Sequence, residues 1–450
     1  MKRGAYLVQG IMNGMVMQRN EQGISEIFVS DIANISSATY SGQQSGTLTY
    51  EKVEQGWKLT GIPVGGPYAV QINEEEFRDI YVGDLWILAG QSNMQGVGWL
   101  TKEDIDFPGE EDVRALYMRD EWAVARHRLH RPWLAFDKVH TEVIKADPGQ
   151  EPEKVGVGPG LSFAQQMKKY TGVPQGLLCC AHGGTTMAQW DPRLYEQGPD
   201  KSLFAAMIRR FRANGSHVKG MFWYQGCSEA MAHQNAHFME NMRRFYEATR
   251  KKCGMIPVVQ VQIGNITIVE REPWDRTWTD IREQQRTMTE EIPFLDTISA
   301  ISCATDDAVH LSSDSQKKLG ITAAESMQSL LVGGEYLPAP IYKGHKVCKT
   351  LLDELTVIDI EYDNVYGNLQ AEGKPCGFEI SLAEDHLTHK QVCNITLEGN
   401  HVLVRVGLKP ELLNDWKLFY GFGVNPYCNI TDSHGRKIPA MGPIPLEVVK

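Results

Sequence analysis

Apolar and polar positions alternate along roughly the first eighty residues. In "SEIFVSDI" (25–32), "GTLTYEKV" (46–53), "GWKLTGI" (56–62) and "GPYAVQI" (66–72), β-branched and aromatic residues take every second place, and Gly or Pro separates the runs. Successive side chains of a strand point to opposite faces, so this period of two predicts an antiparallel β segment over residues 1–82. From residue 83 the pattern changes. Leu85–Ala89, Gly176–Ala181, Val218–Tyr224, Ile256–Ile263 and Thr297–Cys303 are almost wholly apolar. Between them apolar residues recur three or four apart, as in Leu161-Ala164-Met167 and Phe204-Met207-Ile208-Phe211. Further helices are expected over 233–252, 276–291 and 312–331. Apolar strands alternating with amphipathic helices predict an α/β domain over 83–335, a mostly parallel sheet with helices on both faces. After the Gly- and Pro-rich stretch 332–344, alternation returns in "LTVIDIEY", "CGFEISLA" and "NHVLVRVG". A C-terminal β domain over 341–450 follows, one that can pack with the N-terminal segment.

Charge and composition narrow the field. The 450 residues carry a formal charge of −11, which speaks against a nucleic-acid partner, because phosphate binding needs clustered Lys and Arg. No window reaches the about 18 uninterrupted apolar residues of a membrane span, so no membrane partner is expected. The start, "MKRGAYLVQGIMNGMVMQRN", has basic residues but no sustained apolar run, and predicts a cytoplasmic protein or one whose signal has been trimmed. Nine cysteines at irregular spacing fit no disulfide framework. Cys179 and Cys180 read as small buried hydrophobes.

Sites in open α/β sheets lie beyond the carboxyl ends of strands, and four such places hold unusual residues. They are Gly90-Gln91-Ser92-Asn93-Met94, His182-Gly183-Gly184-Thr185-Thr186, Gln225-Gly226-Cys227-Ser228-Glu229 and Asp307-Ala-Val-His310. A serine hydroxyl needs a base to become a nucleophile, and the base needs a carboxylate to orient it. Asp307 and His310, three residues apart, supply both. Oxyanion donors are available from the Ser92 N–H, from Gly183 and Gly184, where no Cβ blocks close approach, and from the Gln225 amide. Each motif also has a plainer reading. Ser92 can be a helix N-cap, "HGGTT" a tight turn, Asp306 and Asp307 helix-start acids, and "WYQGCSEA" a core aromatic pair with a turn. His233 and His237 stand at i and i+4 of the expected helix but lack the glutamate of H-E-x-x-H, so no metal site is assigned. "GVGPG" (156–160) lacks dinucleotide-site spacing, and no cofactor is expected.

Taken in order, "GQSNM", "HGGTT…W", "WYQG" and "DxxHLS" resemble the SGNH hydrolase superfamily, in particular its sialate O-acetylesterase-like, carbohydrate acetylesterase branch. "NGMVMQRN", "GGPYAVQI", "DIREQQ" and "NPYCNITDSHGRKIPA" resemble that branch's flanking regions. The resemblance implies a three-layer α/β/α (flavodoxin-like) core with β accessory segments. It also implies a serine carboxylic-ester hydrolase that removes acetyl groups from sialic acid or plant-type oligosaccharides. Carried over by position, Ser92 is the nucleophile, His310 the base and Asp307 its orienting acid. Ser92, Gly183, Gly184 and Gln225 form the oxyanion hole, with no metal. Gln91, Asn93, Trp190, Cys227 and Glu229 are candidate substrate contacts, and Trp99, Trp122 and Trp133 are further aromatic platforms. One residue departs from the branch: Cys227 stands where "WYQGE" has glutamate, with Glu229 two residues on. The alternatives are a lipase- or thioesterase-type member and a carbohydrate-binding protein with a decayed site.

Overall fold

The computed structural model describes residues 8–54, 56–146, 154–267, 273–349, 355–382 and 392–446. The chain forms two compact units: Met1–Trp223 with Asn241–Val258 and Gln316–Ala324, and Tyr224–Glu240 with Val259–Ser315 and Glu325–Lys450.

The first unit is built around one 16-residue strand, Glu75–Gly90. Among its first five residues only Phe77 is buried; from Ile80 onward every residue is buried. The early half pairs antiparallel with Gly65–Ile72, and the residues around Tyr81 pair parallel with Val16–Gln18. The later half pairs parallel with Gln175–Cys179, Leu85 opposite Gly176 and Leu88 opposite Cys179. The change of texture at residue 83 is therefore not a break in the backbone. One strand continues from a sheet wetted on one face into one covered on both. Gly83 marks the passage, since a Cβ there would stand 1.9 Å from the Pro174 carbonyl oxygen. Within this unit the order is Trp122–Val124, Val113–Leu116, Gln175–Cys179, Glu75–Gly90 and Gly220–Tyr224. Helix Gly160–Thr171 buries Leu161, Phe163, Ala164 and Met167, and ends at Gly172 in the left-handed region. Helix Leu203–Ala213 starts at Ser202, whose hydroxyl accepts from the Ala205 N–H.

The second unit holds the neighbouring strands Val258–Gln262 and Leu295–Ser299 and the helix Trp274–Glu291. Its C-terminal part has a four-stranded antiparallel sheet (Ile341–Lys349, Thr356–Asp363, His401–Val406, Val392–Glu398) and a three-stranded one (Phe378–Leu382, Trp416–Tyr420, Met441–Pro445). Strand Thr356–Asp363 is buried at every second residue. Ile358, Ile360, Tyr362, Val402 and Val404 meet Phe378, Leu418 and Tyr420 in one apolar core.

The helix expected from residue 233 begins instead at Phe238. His233 takes φ +54°, the left-handed region, and Asn235–His237 form only a 3₁₀ turn. His233 and His237 thus do not share a helix face. Among the described residues no helix is long and apolar enough to cross a membrane.

Candidate active site

Strand Glu75–Gly90 ends in a single helical turn, Ser92–Gln95. Gln91 occupies the N-cap position and makes no side-chain cap bond. Ser92 is therefore the first helical residue, and its hydroxyl is not the cap that a serine ahead of a helix usually provides. Gln91 and Asn93 on either side are buried. The Asn93 Oδ1 accepts from Gln316 Nε2 at 3.0 Å, which fastens the turn to helix Ser313–Leu331.

The 182–186 loop lies against this turn: a Cβ added to Gly183 would be 3.3 Å from the Ser92 Cβ. A side chain here would crowd the turn, so glycine suits the close approach. Gly184 adopts φ +69°, and the Thr185 hydroxyl donates to the His182 carbonyl at 2.8 Å, so the loop is a tight turn as well. The Gly183 N–H donates to Gln95 Oε1 at 2.6 Å. Gln95, three residues after Ser92, thus holds the N–H that the oxyanion assignment needs. Its own carbonyl lies 3.1 Å from His130 Nδ1, which donates there.

Behind the turn, the rings of His182 and His140 stack at 5.0 Å, with Nδ1 atoms 2.9 Å apart. One ring must donate and the other accept, which fixes opposite tautomers. Burial holds His182 down to about 4 and His130 to about 3, and drives His140 well below the usual imidazole range. All three are neutral near pH 7. Gln95, His130 and His140 were not singled out from the sequence. Gln95 was within reach, at i+3 of the serine, whereas His140 lies 42 residues from its partner and carries no local signal.

In the second unit, Asp307 and His310 form a self-contained loop. Asp307 Oδ1 accepts from the Val309 N–H (2.9 Å) and the His310 N–H (2.7 Å), and Oδ2 lies 2.7 Å from His310 Nδ1. Partial burial pushes the Asp307 carboxyl up, but these N–H groups and the imidazole outweigh it and leave it below the ordinary range. The helix-start role falls to other residues: Ser312 caps helix Ser313–Leu331, and Asp306 accepts from the Ser313 N–H at 3.2 Å. The ring hydrogen bond through Nδ1 leaves Nε2 as the nitrogen able to take a proton.

Also in this unit, Gln225 is buried and its Nε2 donates to the Glu229 carboxylate, 3.0 and 3.3 Å from the two oxygens. Glu229 is itself buried, in the first turn of the short helix Cys227–Met231 that begins with buried Cys227. Cys227 opens the helix, and the carboxylate two residues later, at Glu229, is the one that reaches the glutamine.

Trp190 corrects an expectation. Its side chain is 0% exposed, packed edge-on against Trp223 and Phe245, and its Nε1 donates to the Thr185 hydroxyl. A ring with no free face offers no platform to a sugar, so Trp190 braces the 182–186 loop from the core. Trp122 is also buried, and Trp99 is exposed. Cys179 and Cys180 are buried, their thiols pushed up by burial, Cys180 to about 11.

A carbohydrate esterase, defined as sialic acid-specific acetylesterase, is the family whose model matches residues 82–329. The chain belongs to this family of carbohydrate esterases. XAC1771, described as a novel carbohydrate acetylesterase from Xanthomonas citri, shares the fold, with TM-score 0.69, 19% identity, and coverage of 96% of this chain and 98% of that one. A protein from Arabidopsis thaliana matches with TM-score 0.42, 23% identity, and 54% and 97% coverage. NanS matches at 0.40, 15% identity, and 55% and 96%. No curated protein matches the sequence.

Proposed function

We propose that this chain is a carbohydrate O-acetylesterase that works through a serine acetyl-enzyme on a three-layer SGNH-type core. In this reading His310 Nε2 takes the proton of the Ser92 hydroxyl as Oγ attacks the acetyl carbonyl. The negative oxygen is met by the backbone N–H groups of Ser92 and of the Gly183–Gly184 turn and by the Gln225 amide. Gln95 must release the Gly183 N–H when that oxygen forms. His310 then returns its proton to the sugar oxygen, which leaves as an alcohol. Water, deprotonated by the same imidazole, releases acetate and restores Ser92. Gln91, Asn93, Cys227 and Glu229 act from buried positions to hold the turn and the glutamine rather than to touch substrate.

The observation that carries the reading is the Asp307–His310 pair, closed at 2.7 Å on Nδ1 and anchored by two backbone N–H groups. That arrangement fixes the imidazole against a carboxylate through Nδ1 and so supports His310 as the base, while the N-terminus of helix Ser313–Leu331 is held by Ser312 and Asp306. The test is acetate release from acetylated sialic acid, xylo-oligosaccharides, manno-oligosaccharides and xyloglucan oligosaccharides by wild type and Ser92→Ala. Turnover on one of them that vanishes with the substitution is expected. Equal release by Ser92→Ala would rule out the acetyl-enzyme.

A further inference from the structure

A cavity of about 660 Å³ in the second unit takes no part in the chemistry above. Its walls come from the loop leading into Asp307 and His310 and from "NPYCN" (425–429), which the catalytic reading left unused.

The floor is built in advance of any ligand. Asn265 Nδ2 donates to Asn425 Oδ1 and to the Pro426 carbonyl, both at 3.0 Å. The Ser302 hydroxyl donates to the same carbonyl at 3.0 Å and accepts from the Cys428 N–H at 2.9 Å. The buried Arg282 adds Nη2 to Asn265 Oδ1 at 3.1 Å and Nη1 to the Gly423 carbonyl at 2.6 Å. A loop pinned at this many points is ordered before binding, which lowers the cost of capturing a ligand.

Above that floor, Tyr427 is 69% exposed, a large ring held out on a fixed loop. Lys437 and Glu372 also line the cavity, and neither forms an ion pair among the described residues. A phosphate or sulfate would call for several cations, whereas here one cation is offset by one carboxylate. A fatty acyl chain would call for an apolar wall, whereas this one is amide, hydroxyl and charge. An exposed aromatic ring amid scattered donors and acceptors suits a sugar, whose hydroxyls hydrogen-bond while its C–H face lies on the ring.

The cavity is joined to the catalytic loop. Thr305, in its wall, bridges to Leu311 next to His310, and the Ser312 N–H donates to the Ala304 carbonyl at 2.8 Å. The Thr267 N–H donates to the Ala308 carbonyl at 2.7 Å. The cavity wall and the loop that carries His310 are thus tied by backbone contacts. We propose that this cavity is a subsite for the neighbouring sugar ring, so that the enzyme prefers acetylated oligosaccharides to acetylated monosaccharides. The proposal rests on the esterase reading for its placement and adds the substrate class to it.

The test measures kcat/KM of wild type and Tyr427→Ala on O-acetylated xylotriose and O-acetylated sialyllactose, on the matching acetylated monosaccharides, and on p-nitrophenyl acetate. Tyr427 is exposed, so its replacement leaves the fold intact. Wild type should favour one oligosaccharide over its monosaccharide. Tyr427→Ala should lose roughly three- to tenfold on that oligosaccharide alone. Whichever oligosaccharide shows the loss identifies a neutral or an acidic neighbouring sugar. No preference in wild type, or an equal loss on monosaccharide and nitrophenyl ester, overturns the subsite. Calorimetric titration of non-acetylated xylotriose and sialyllactose into Ser92→Ala, with and without Tyr427→Ala, reads the cavity without turnover. Saccharide binding that depends on Tyr427 in an inactive wild type would sink the esterase reading and leave the cavity standing. Binding indifferent to Tyr427 would sink the cavity alone.

Discussion

Replacing Asp307 by asparagine isolates the contact on which the proposed base depends. Asp307 Oδ1 holds the loop through the Val309 and His310 N–H groups, and only Oδ2 faces the ring nitrogen. Asparagine keeps an oxygen for the first task and puts an NH₂ in place of Oδ2. The loop should therefore survive while the ring loses its acceptor and is pressed toward the wrong tautomer. A charge-assisted hydrogen bond contributes about 1.5–3 kcal/mol, and about 1.4 kcal/mol is tenfold in rate. That alone predicts a loss of about 10- to 150-fold in kcat. A buried triad loses on the order of 10⁴-fold on the equivalent change. The Asp307 side chain is 50% exposed, however, so water can replace part of what the carboxylate did. We expect a fall of roughly a hundredfold in kcat, with KM little changed and a melting temperature within about 2 °C of wild type. Acetate release under saturating substrate, with a thermal melt on the same samples, measures all three. A loss below about threefold with the fold intact would show that Asp307 does not orient the base.

The remaining expectations concern stability. His127, His130 and His182 are held by burial at about 4, 3 and 4, and His140 lies well below 6.5. Unfolded, each titrates near 6.5, so between pH 6.5 and about 4 the unfolded chain binds more protons than the folded one. Stability should fall as pH drops below 6.5, by up to about 1.4 kcal/mol per pH unit for each histidine, with the His127 and His182 contributions levelling off near pH 4 and that of His130 near pH 3. Urea midpoints at pH 7.5, 6 and 5 would report this, and a constant midpoint would refute it. Trp190→Ala should cost about 3–5 kcal/mol, as deletion of a fully buried aromatic does. A folded variant with unchanged stability but a raised KM would restore Trp190 as a sugar contact.

Much of the molecule could be read locally. The apolar runs around Leu85, Leu177, Phe222 and Val259 all became strands, because a strand covered on both faces is mostly apolar and the buried Gln260 and Gln262 are satisfied by hydrogen bonds. The period-two runs of the C-terminal part became strands with one buried face. Asp307 and His310 were legible as a pair because three residues in one loop suffice to close it. The stretch at 233–237 failed because helical spacing of two histidines says nothing about the left-handed backbone at His233. Trp190 failed because a tryptophan after "HGGTT" looks the same in sequence whether its ring meets solvent or Trp223 and Phe245.

The sequence by itself determined the alternation of elements and the order of the four polar loops. It also determined the family to which they belong, since each of these depends on residue type at short spacing. Only the tertiary structure decided that Ser92 is a first helical residue rather than a cap, a matter of backbone angles at Gln91. It alone revealed that Gln95 engages the Gly183 N–H, that His140 fixes His182 and that Glu229 reaches Gln225. It alone gathered Asn265, Ser302 and the 425–429 loop into one cavity wall. Those partners lie up to 161 residues apart. Contacts at such distance are set by how strands and loops pack, and no local pattern along the chain records them.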